Sequence, residues 1–200
     1  INISIIKICL RHGINKIVPL HDAEIDYFSQ EKSVFAEHFI DVRTSSNEAN
    51  IKLRDKYESL QIAKAYGFPC PQTWSATEAL NAKNSISFPV IVKPTNLAAS
   101  RLIYIAKSYA EMSECIRKIQ IIGLSAIVQE YIKGGKERSF YYFIDNKGDV
   151  KQILCFKKHR YLFPSHSTAL ECIDPPPEAA IGQNFLQAMD LQGWFVIQTI

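Results

Sequence analysis

Two lysines stand where a positive charge can grip an anion. Lys56, in "LRDKYESLQIAKAYGFPCP", lies at the start of a helical pattern, beside backbone N–H groups that already favour negative charge. Lys93, in "FPVIVKPTN", closes an apolar strand, and a lysine there needs an anionic partner or a route to water. Converging from separate elements, the two could hold one polyphosphate. Each also has a plainer reading, Lys56 solvated on its helix and Lys93 snorkelling to the surface. A third stretch, "IVQEYIKGGKERSFYYFIDNKGDV", is an apolar strand that ends in a Gly-containing loop and restarts as a second strand. Its free backbone groups could read the edge of a flat base, with Tyr131 and Ile132 as packing surface and Glu137 as acceptor for ribose hydroxyls. Taken alone, it is an ordinary hairpin.

Composition removes the competing chemistries. The chain has 8 glycines in 200 residues, and nowhere do they form a dinucleotide-binding GxGxxG or a Walker-type GxxxxGK[ST] loop. Lys+Arg 23 against Asp+Glu 20 gives a net charge of +3, too weak for a duplex-binding footprint, so no nucleic-acid partner is expected. The densest basic stretch, Lys157, Lys158, His159 and Arg160, reads first as a solvated strand end and second as an anion-binding edge. The 5 cysteines are widely spaced without a CxxC pair, which points to reduced thiols in a cytoplasmic protein. Histidines 12, 21, 38, 159 and 166 lack metal-ligand spacing, and no GxSxG elbow occurs. The aromatic run Phe140 to Phe143 reads as a sheet buried on both faces. No apolar run is long enough to span a membrane, so no membrane association is expected. Starting at Ile1 and ending on "GWFVIQTI", the chain reads as a piece of a longer protein.

The elements that must position these residues change character along the chain. "INISIIKICLRHG" has helical spacing at Ile3, Ile6, Cys9 and Leu10, and the short strands "INKIVPL" and "IDVRT" flank helical material after Asp22. That order implies a parallel α/β unit. Ser45 and Glu48 have capping-box spacing, and a helix is expected from Asp55 to Tyr66, closed by Gly67. "FPCPQTW" must be extended because prolines bias the preceding residue away from helix. Beyond it come the strands "FPVIVKP", "RLIYIA" and "SAIVQEYI", with a helix capped by Ser108 and Glu111 between the last two. "RSFYYFID" and "VKQILCFKKHR" form an antiparallel pair joined at "NKGD", and "STALECI" adds a strand. A helix over "EAAIGQNFLQAMDL" and the strand "WFVIQTI" complete an α/β then α+β order.

That order of motifs resembles the ATP-grasp superfamily, in particular its carbamoyl-phosphate-synthetase-like and carboxylate–amine ligase branch. The resemblance runs over roughly Ile14 to Ile200 and rests on four segments in order. "INKIVPLHDAEIDYFSQ" is similar to the end of the preceding α/β domain, and "DKYESLQIAKAYGFPCPQT" to the family's DK…GIPxP segment. "FPVIVKP" resembles its phosphate-lysine strand and "IVQEYIKGGKERS" its adenine linker. The implied fold is an ATP-grasp fold behind the tail of a pre-ATP-grasp domain. The implied division is residues 1–46 for that tail, 47–124 for the first ATP-grasp subdomain and 125–200 for an incomplete second one.

Carried over by position, the resemblance makes Lys56 and Lys93 the phosphate lysines. Gln129, Glu130, Tyr131 and Ile132 would border adenine, Glu137 would hold the ribose, and Gln198 would be a magnesium ligand. Read without the family, Gln198 is equally a half-exposed strand residue. Two loops depart from the pattern. The loop after Lys93 reads "TNLAASR", with Leu97, Ala98 and Ala99 in place of flexible glycines, although Ser100 and Arg101 could still donate to phosphate. The substrate-side loop is "FPSHSTALE", preceded by Arg160, which would act on a carboxylate or the transferring phosphoryl group, or else only edge the strand. The implied activity is an ATP- and magnesium-dependent ligase that activates a small-molecule carboxylate as an acyl phosphate for attack by an amine. A carbamoyl-phosphate-synthetase-like enzyme or half-enzyme and a non-catalytic ATP-binding module are the alternatives, and a homodimer is compatible with each.

Overall fold

The computed structural model describes residues 1–200 apart from 83–84, 98–101, 164–165, 190 and 200, and side chains apart also from 152, 160–163 and 166–168. In chain order the elements are α1 (Asn2–His12), β1 (Lys16–Ile17), α2 (Asp22–Gln30), α3 (Lys32–Ala36), β2 (Asp41–Val42), α4 (Asn47–Arg54), α5 (Lys56–Ala65), β3 (Thr73–Ser75) and α6 (Ala76–Asn81). They continue with β4 (Val90–Pro94), β5 (Tyr104–Ala106), α7 (Tyr109–Ile121), β6 (Ala126–Glu130), β7 (Arg138–Ile144), β8 (Val150–Phe163), β9 (His166–Ile173), α8 (Pro177–Ala188) and β10 (Gly193–Thr199). They divide into two compact units, one of Ile1–Lys52, Phe140–Cys155 and Asp174–Ile197, the other of Leu53–Ser139, Phe156–Ile173 and Gln198–Ile200.

In the first unit, β1 and β2 pair in parallel, Lys16 opposite Asp41 and Ile17 opposite Val42. Such pairing needs a crossover, which α2 and α3 supply. α2 starts at a capping box in which the His21 ring accepts from Ala23 N–H and Glu24 reaches back to the His21 N–H. α1 ends on Gly13, whose φ of 64° lets its N–H turn back to the last carbonyls. Ile6 and Cys9 of α1 pack with Phe35, Ile40 and Val42 in one core, while Ile3 and Leu10, expected on the same face, are exposed. The expected capping role of Ser45 belongs to its neighbour. Ser46 Oγ accepts from Ala49 N–H at 3.2 Å, and Ser45 Oγ instead accepts from Gln192 N–H at 2.9 Å. Tertiary bonding to a residue far along the chain has displaced the local cap.

Strands β10, β7, β8 and β9 form one sheet in that order. Within the first unit, β7 and β8 meet at a turn where Gly148 N–H bonds the Asp145 carbonyl and Asp145 Oδ1 accepts from Lys147 and Asp149. Phe140, Tyr142 and Ile144 are fully buried and alternate with the half-buried Tyr141 and Phe143. The aromatic run is thus sealed on one face and partly open on the other, where a sheet buried on both was expected. α8 packs on the buried side, with the Tyr142 hydroxyl donating to the Ala179 carbonyl at 3.0 Å.

The second unit is built on a sheet of order β3-β6-β4-β5, antiparallel at every pairing. Its register puts Val92 opposite Val128 and Tyr104, Lys93 opposite Ile127, Ile91 opposite Gln129 and Ile105, and Gln129 also opposite Thr73. Side chains alternate between faces with period two, so every residue is assigned to a side. Val90, Val92, Ala106, Ala126 and Val128 form one apolar face, covered by Met112, Ile116 and Ile119 of α7 and Ala76 and Ala79 of α6. Burying a side chain the size of valine or isoleucine contributes about 1.5–3 kcal/mol, which makes this face the anchor of the unit. The opposite face carries Thr73, Ser75, Ile91, Lys93, Ile105, Ile127 and Gln129.

Candidate functional site

Lys93 reaches that second face because β4 alternates and Val92 is committed to the core. Lys56 arrives from another direction. Asp55 caps α5 by accepting from the Tyr57 and Glu58 N–H groups, which fixes Lys56 as the first helical residue. The Lys56 N–H bonds the Thr95 carbonyl at 2.8 Å, tying the helix start to the segment just after Lys93. Its side chain bonds the same segment, with Nζ 2.8 Å from the Leu97 carbonyl and 3.3 Å from that of Thr95. The two lysines are close enough for the charge of Lys56, together with burial, to push the Lys93 ammonium down to about 8. Burial is the larger cause. Among the described residues no carboxylate pairs with Lys93; its hydrogen bond goes to the neutral Gln129 Oε1 at 2.8 Å. Two half-buried cations that repel each other beside a sheet face are an arrangement that a multiply charged anion would relieve.

Gln129 is buried, and its amide bridges Lys93 and Thr73, so its side chain is engaged on the Lys93 face of the sheet. Glu130, at the end of β6, is tied to Gln72 through backbone and side chain, its N–H donating to the Gln72 carbonyl and its carboxylate accepting from Gln72 N–H. Tyr131 is half-buried and Ile132 exposed in the connection to β7. Glu137 holds the chain's most enclosed ion pair among the described residues. Lys158 Nζ lies 2.9 Å from Glu137 Oε2, and the Lys158 side chain is only 9% exposed. Lys158 is therefore not solvated, whereas Lys157 and His159, 32% and 44% exposed, stay near the surface. Lys158 faces Glu137, and Lys157 and His159, pointing the other way along β8, share Glu171 at 3.7 and 2.6 Å. Glu137 comes from the residue just before β7 and Glu171 from β9, and their positions in the chain give no sign of it.

Beside the start of α5 an open depression of about 280 Å³ is lined by Asp55, Tyr57, Ser75, Thr95 and Ile127. Arg160 lies within β8, its side chain outside the described residues, as are Ser100 and Arg101 altogether. Gln198 occupies an exposed position on β10. Among the described residues no group of three or more His, Cys, Asp or Glu side chains gathers to hold a metal. Magnesium takes hard oxygens, mostly carboxylate and phosphate, so one amide oxygen is not a magnesium site by itself. The groups that sequence reasoning missed are Thr73 and the Thr95 and Leu97 carbonyls, which carry no motif, and the buried state of Lys158. Among the described residues no helix is long and apolar enough to cross a membrane.

No family model matches the chain. Over 91 residues it is 29% identical to a D-alanine–D-alanine ligase of Francisella tularensis subsp. tularensis, a match covering 46% of this chain and 30% of that one. In three dimensions it is similar to the biotin carboxylase of Campylobacter jejuni, solved as a β,γ-ATP complex. The TM-score is 0.77 at 16% identity, over 98% of this chain and 48% of that one. It is also similar to the biotin carboxylase domain dimer of Hydrogenobacter thermophilus 2-oxoglutarate carboxylase in complex with MgADP, ADP and bicarbonate, with a TM-score of 0.69 at 15% identity over 98% of this chain and 47% of that one. The chain spans less than half the length of each of these proteins. The structural likenesses run over nearly the whole chain, through the mixed α/β portion and both four-stranded sheets, and the fold of the chain is that of the ATP-grasp proteins.

Proposed function

We propose that the protein is an ATP- and magnesium-dependent ligase of the carboxylate–amine type. The observation that carries this reading is the convergence of Lys56 and Lys93 beside one sheet face, where Lys93 bonds the neutral Gln129 and, among the described residues, no carboxylate. A triphosphate would relieve the repulsion that burial and Lys56 impose on Lys93, and water-poor surroundings would strengthen the attraction. Adenine would lie along Gln129 to Ile132, the ribose would meet Glu137, and Ser100 and Arg101 would face phosphate. Nucleotide complexes of the two carboxylases support ATP and magnesium, and the D-alanine–D-alanine ligase supports a carboxylate and an amine as substrates. Magnesium would supply charge neutralisation on phosphate, with Gln198 as one oxygen donor and the phosphates as others.

In the reaction, a substrate carboxylate oxygen attacks the γ-phosphorus and the bond to the β,γ-bridging oxygen breaks, giving an acyl phosphate and ADP. An amine then attacks the acyl carbon, phosphate leaves with the C–O bonding pair, and the nitrogen gives up a proton as the C–N bond forms. Lys56 and Lys93 would hold the phosphates in line and offset the charge that builds on the departing ADP. Arg160 would orient the carboxylate or the transferring phosphoryl group. We further propose the division at 1–46, 47–124 and 125–200, a cytoplasmic location and a homodimer like that of the 2-oxoglutarate carboxylase domain. Calorimetry with ATP tests the reading: binding is expected for the native protein and at least ~10-fold weaker in Lys93→Ala. Equal affinity in the two would sink the phosphate assignment.

A further inference from the structure

Gln129 is held in one orientation by groups on two other segments. Thr73 Oγ1 donates its single hydrogen to the Pro71 carbonyl at 2.9 Å, so towards Gln129 it can only accept. The amide nitrogen of Gln129 must then be the atom 3.0 Å from Thr73 Oγ1, which leaves Oε1 turned to Lys93 Nζ at 2.8 Å. Strand register explains the alignment. Gln129 lies opposite Thr73 on one side and Ile91 on the other, and Lys93 follows Ile91 by two residues on the same face. Among the described residues, the groups on the Lys93 side are Lys56 from α5, Ser75 and Thr73 of β3, Ile127 and Gln129 of β6 and Ile105 of β5, and the charged one of these is a second cation. α7 packs on the other side of the sheet.

We propose that Gln129 is a positioning residue for polyphosphate binding: its buried amide, oriented by Thr73, fixes the Lys93 ammonium while leaving its charge uncancelled. The inference rests on the ATP reading above and specifies how one of its two lysines is prepared. A lysine has several rotatable bonds, and ordering the ammonium before the ligand arrives removes that cost from binding. A glutamate at 129 would order it equally well, but would form an ion pair that an incoming phosphate must break. Glutamine separates position from charge. The depressed protonation of Lys93 agrees, since a carboxylate in that place would hold the proton on.

The test uses Gln129→Glu, Gln129→Leu and Thr73→Val with two measurements. The first is the titration of Lys93, followed by the pH dependence of its acetylation rate, read by mass spectrometry. The second is the affinity for inorganic tripolyphosphate between pH 7 and 9.5. In the native protein, Lys93 should titrate near 8, and tripolyphosphate affinity should fall by up to ~10-fold per pH unit above that point. Gln129→Glu should move the Lys93 titration up by ~1 pH unit or more, weaken tripolyphosphate binding at pH 7 by ~10-fold and carry the decline to correspondingly higher pH. Thr73→Val and Gln129→Leu should each weaken binding by ~3-fold or more at pH 7 without an upward move of the titration. If Gln129→Leu fails to fold, the other two variants decide. A Lys93 titration and binding profile unchanged in both Gln129→Glu and Thr73→Val would overturn the inference. Absence of tripolyphosphate binding by the native protein would instead overturn the ATP reading, and the titration would still decide whether Gln129 governs Lys93.

Discussion

The ammonium of Lys56 bonds the Leu97 carbonyl at 2.8 Å, so the first residue of a helix fastens the segment that follows the other candidate phosphate lysine. Truncating Lys56 therefore removes a positive charge and releases that segment together. Lys56→Ala should weaken ATP binding by ~10-fold or more, and Lys56→Arg, which keeps the charge but not the compact ammonium, should recover only part of it. Both losses should shrink as ionic strength rises from 0.05 to about 0.5 M, because screening weakens the native affinity most. Calorimetry at two salt concentrations measures this.

Lys93 should also set a pH dependence of stability. Its folded value of about 8 lies below the ordinary 10.5, so between those values the unfolded chain binds more protons and stability rises with pH. The penalty of the buried charge is fully present below pH 8. Lys93→Met removes it, so the variant should gain on the native protein by on the order of 3 kcal/mol at pH 7 relative to pH 10.5. The unpaired Gln129 oxygen left behind costs about the same at every pH and does not alter the slope. Urea unfolding of both proteins across pH 7 to 10.5 gives the difference curve.

The Glu137–Lys158 pair should respond unequally to loss of either partner. Lys158 is 9% exposed in its side chain and Glu137 34%, so removing the acid strands a buried cation, whereas the surviving acid can turn to water. Glu137→Leu is expected to cost ~2 kcal/mol or more and Lys158→Met ~1 or less, with the double variant no worse than Glu137→Leu. Thermal unfolding of the cycle reads this without reference to any nucleotide.

A methyl group at Gly182 would collide with the hydroxyl of Tyr142, which is itself fixed by the Ala179 carbonyl. Gly182→Ala should therefore destabilise by ~1–3 kcal/mol despite the better helix propensity of alanine. Adding Tyr142→Phe, which removes the colliding oxygen, should restore part of that loss. The ring carbon left behind would still lie only 3.1 Å from the new methyl, so recovery stays incomplete.

Much of the local structure was legible in the residues. Ser108 caps α7 as its spacing to Glu111 implies, α5 falls within the expected span from Asp55 to Tyr66, and "FPVIVKP" is a strand with Lys93 on the face away from its valines. The placement of both lysines at element ends followed from the same patterns. What did not follow was the fate of Ser45, drawn off its helix by Gln192, or of Lys157, Lys158 and His159 on β8, which meet Glu171 and Glu137.

The elements, their order and the residues available at their ends are encoded locally, because caps, breakers and apolar periodicity act over a few residues. Which polar groups meet depends on contacts far apart in the chain. Gln129 is 36 residues from Lys93 and 56 from Thr73, and it reaches both because antiparallel register aligns β3, β6 and β4 on one face. Register is set by burial of the opposite face, where Val90, Val92 and Val128 must pack under α7. The polar site is thus positioned by an apolar core with which it shares strands but no side chains.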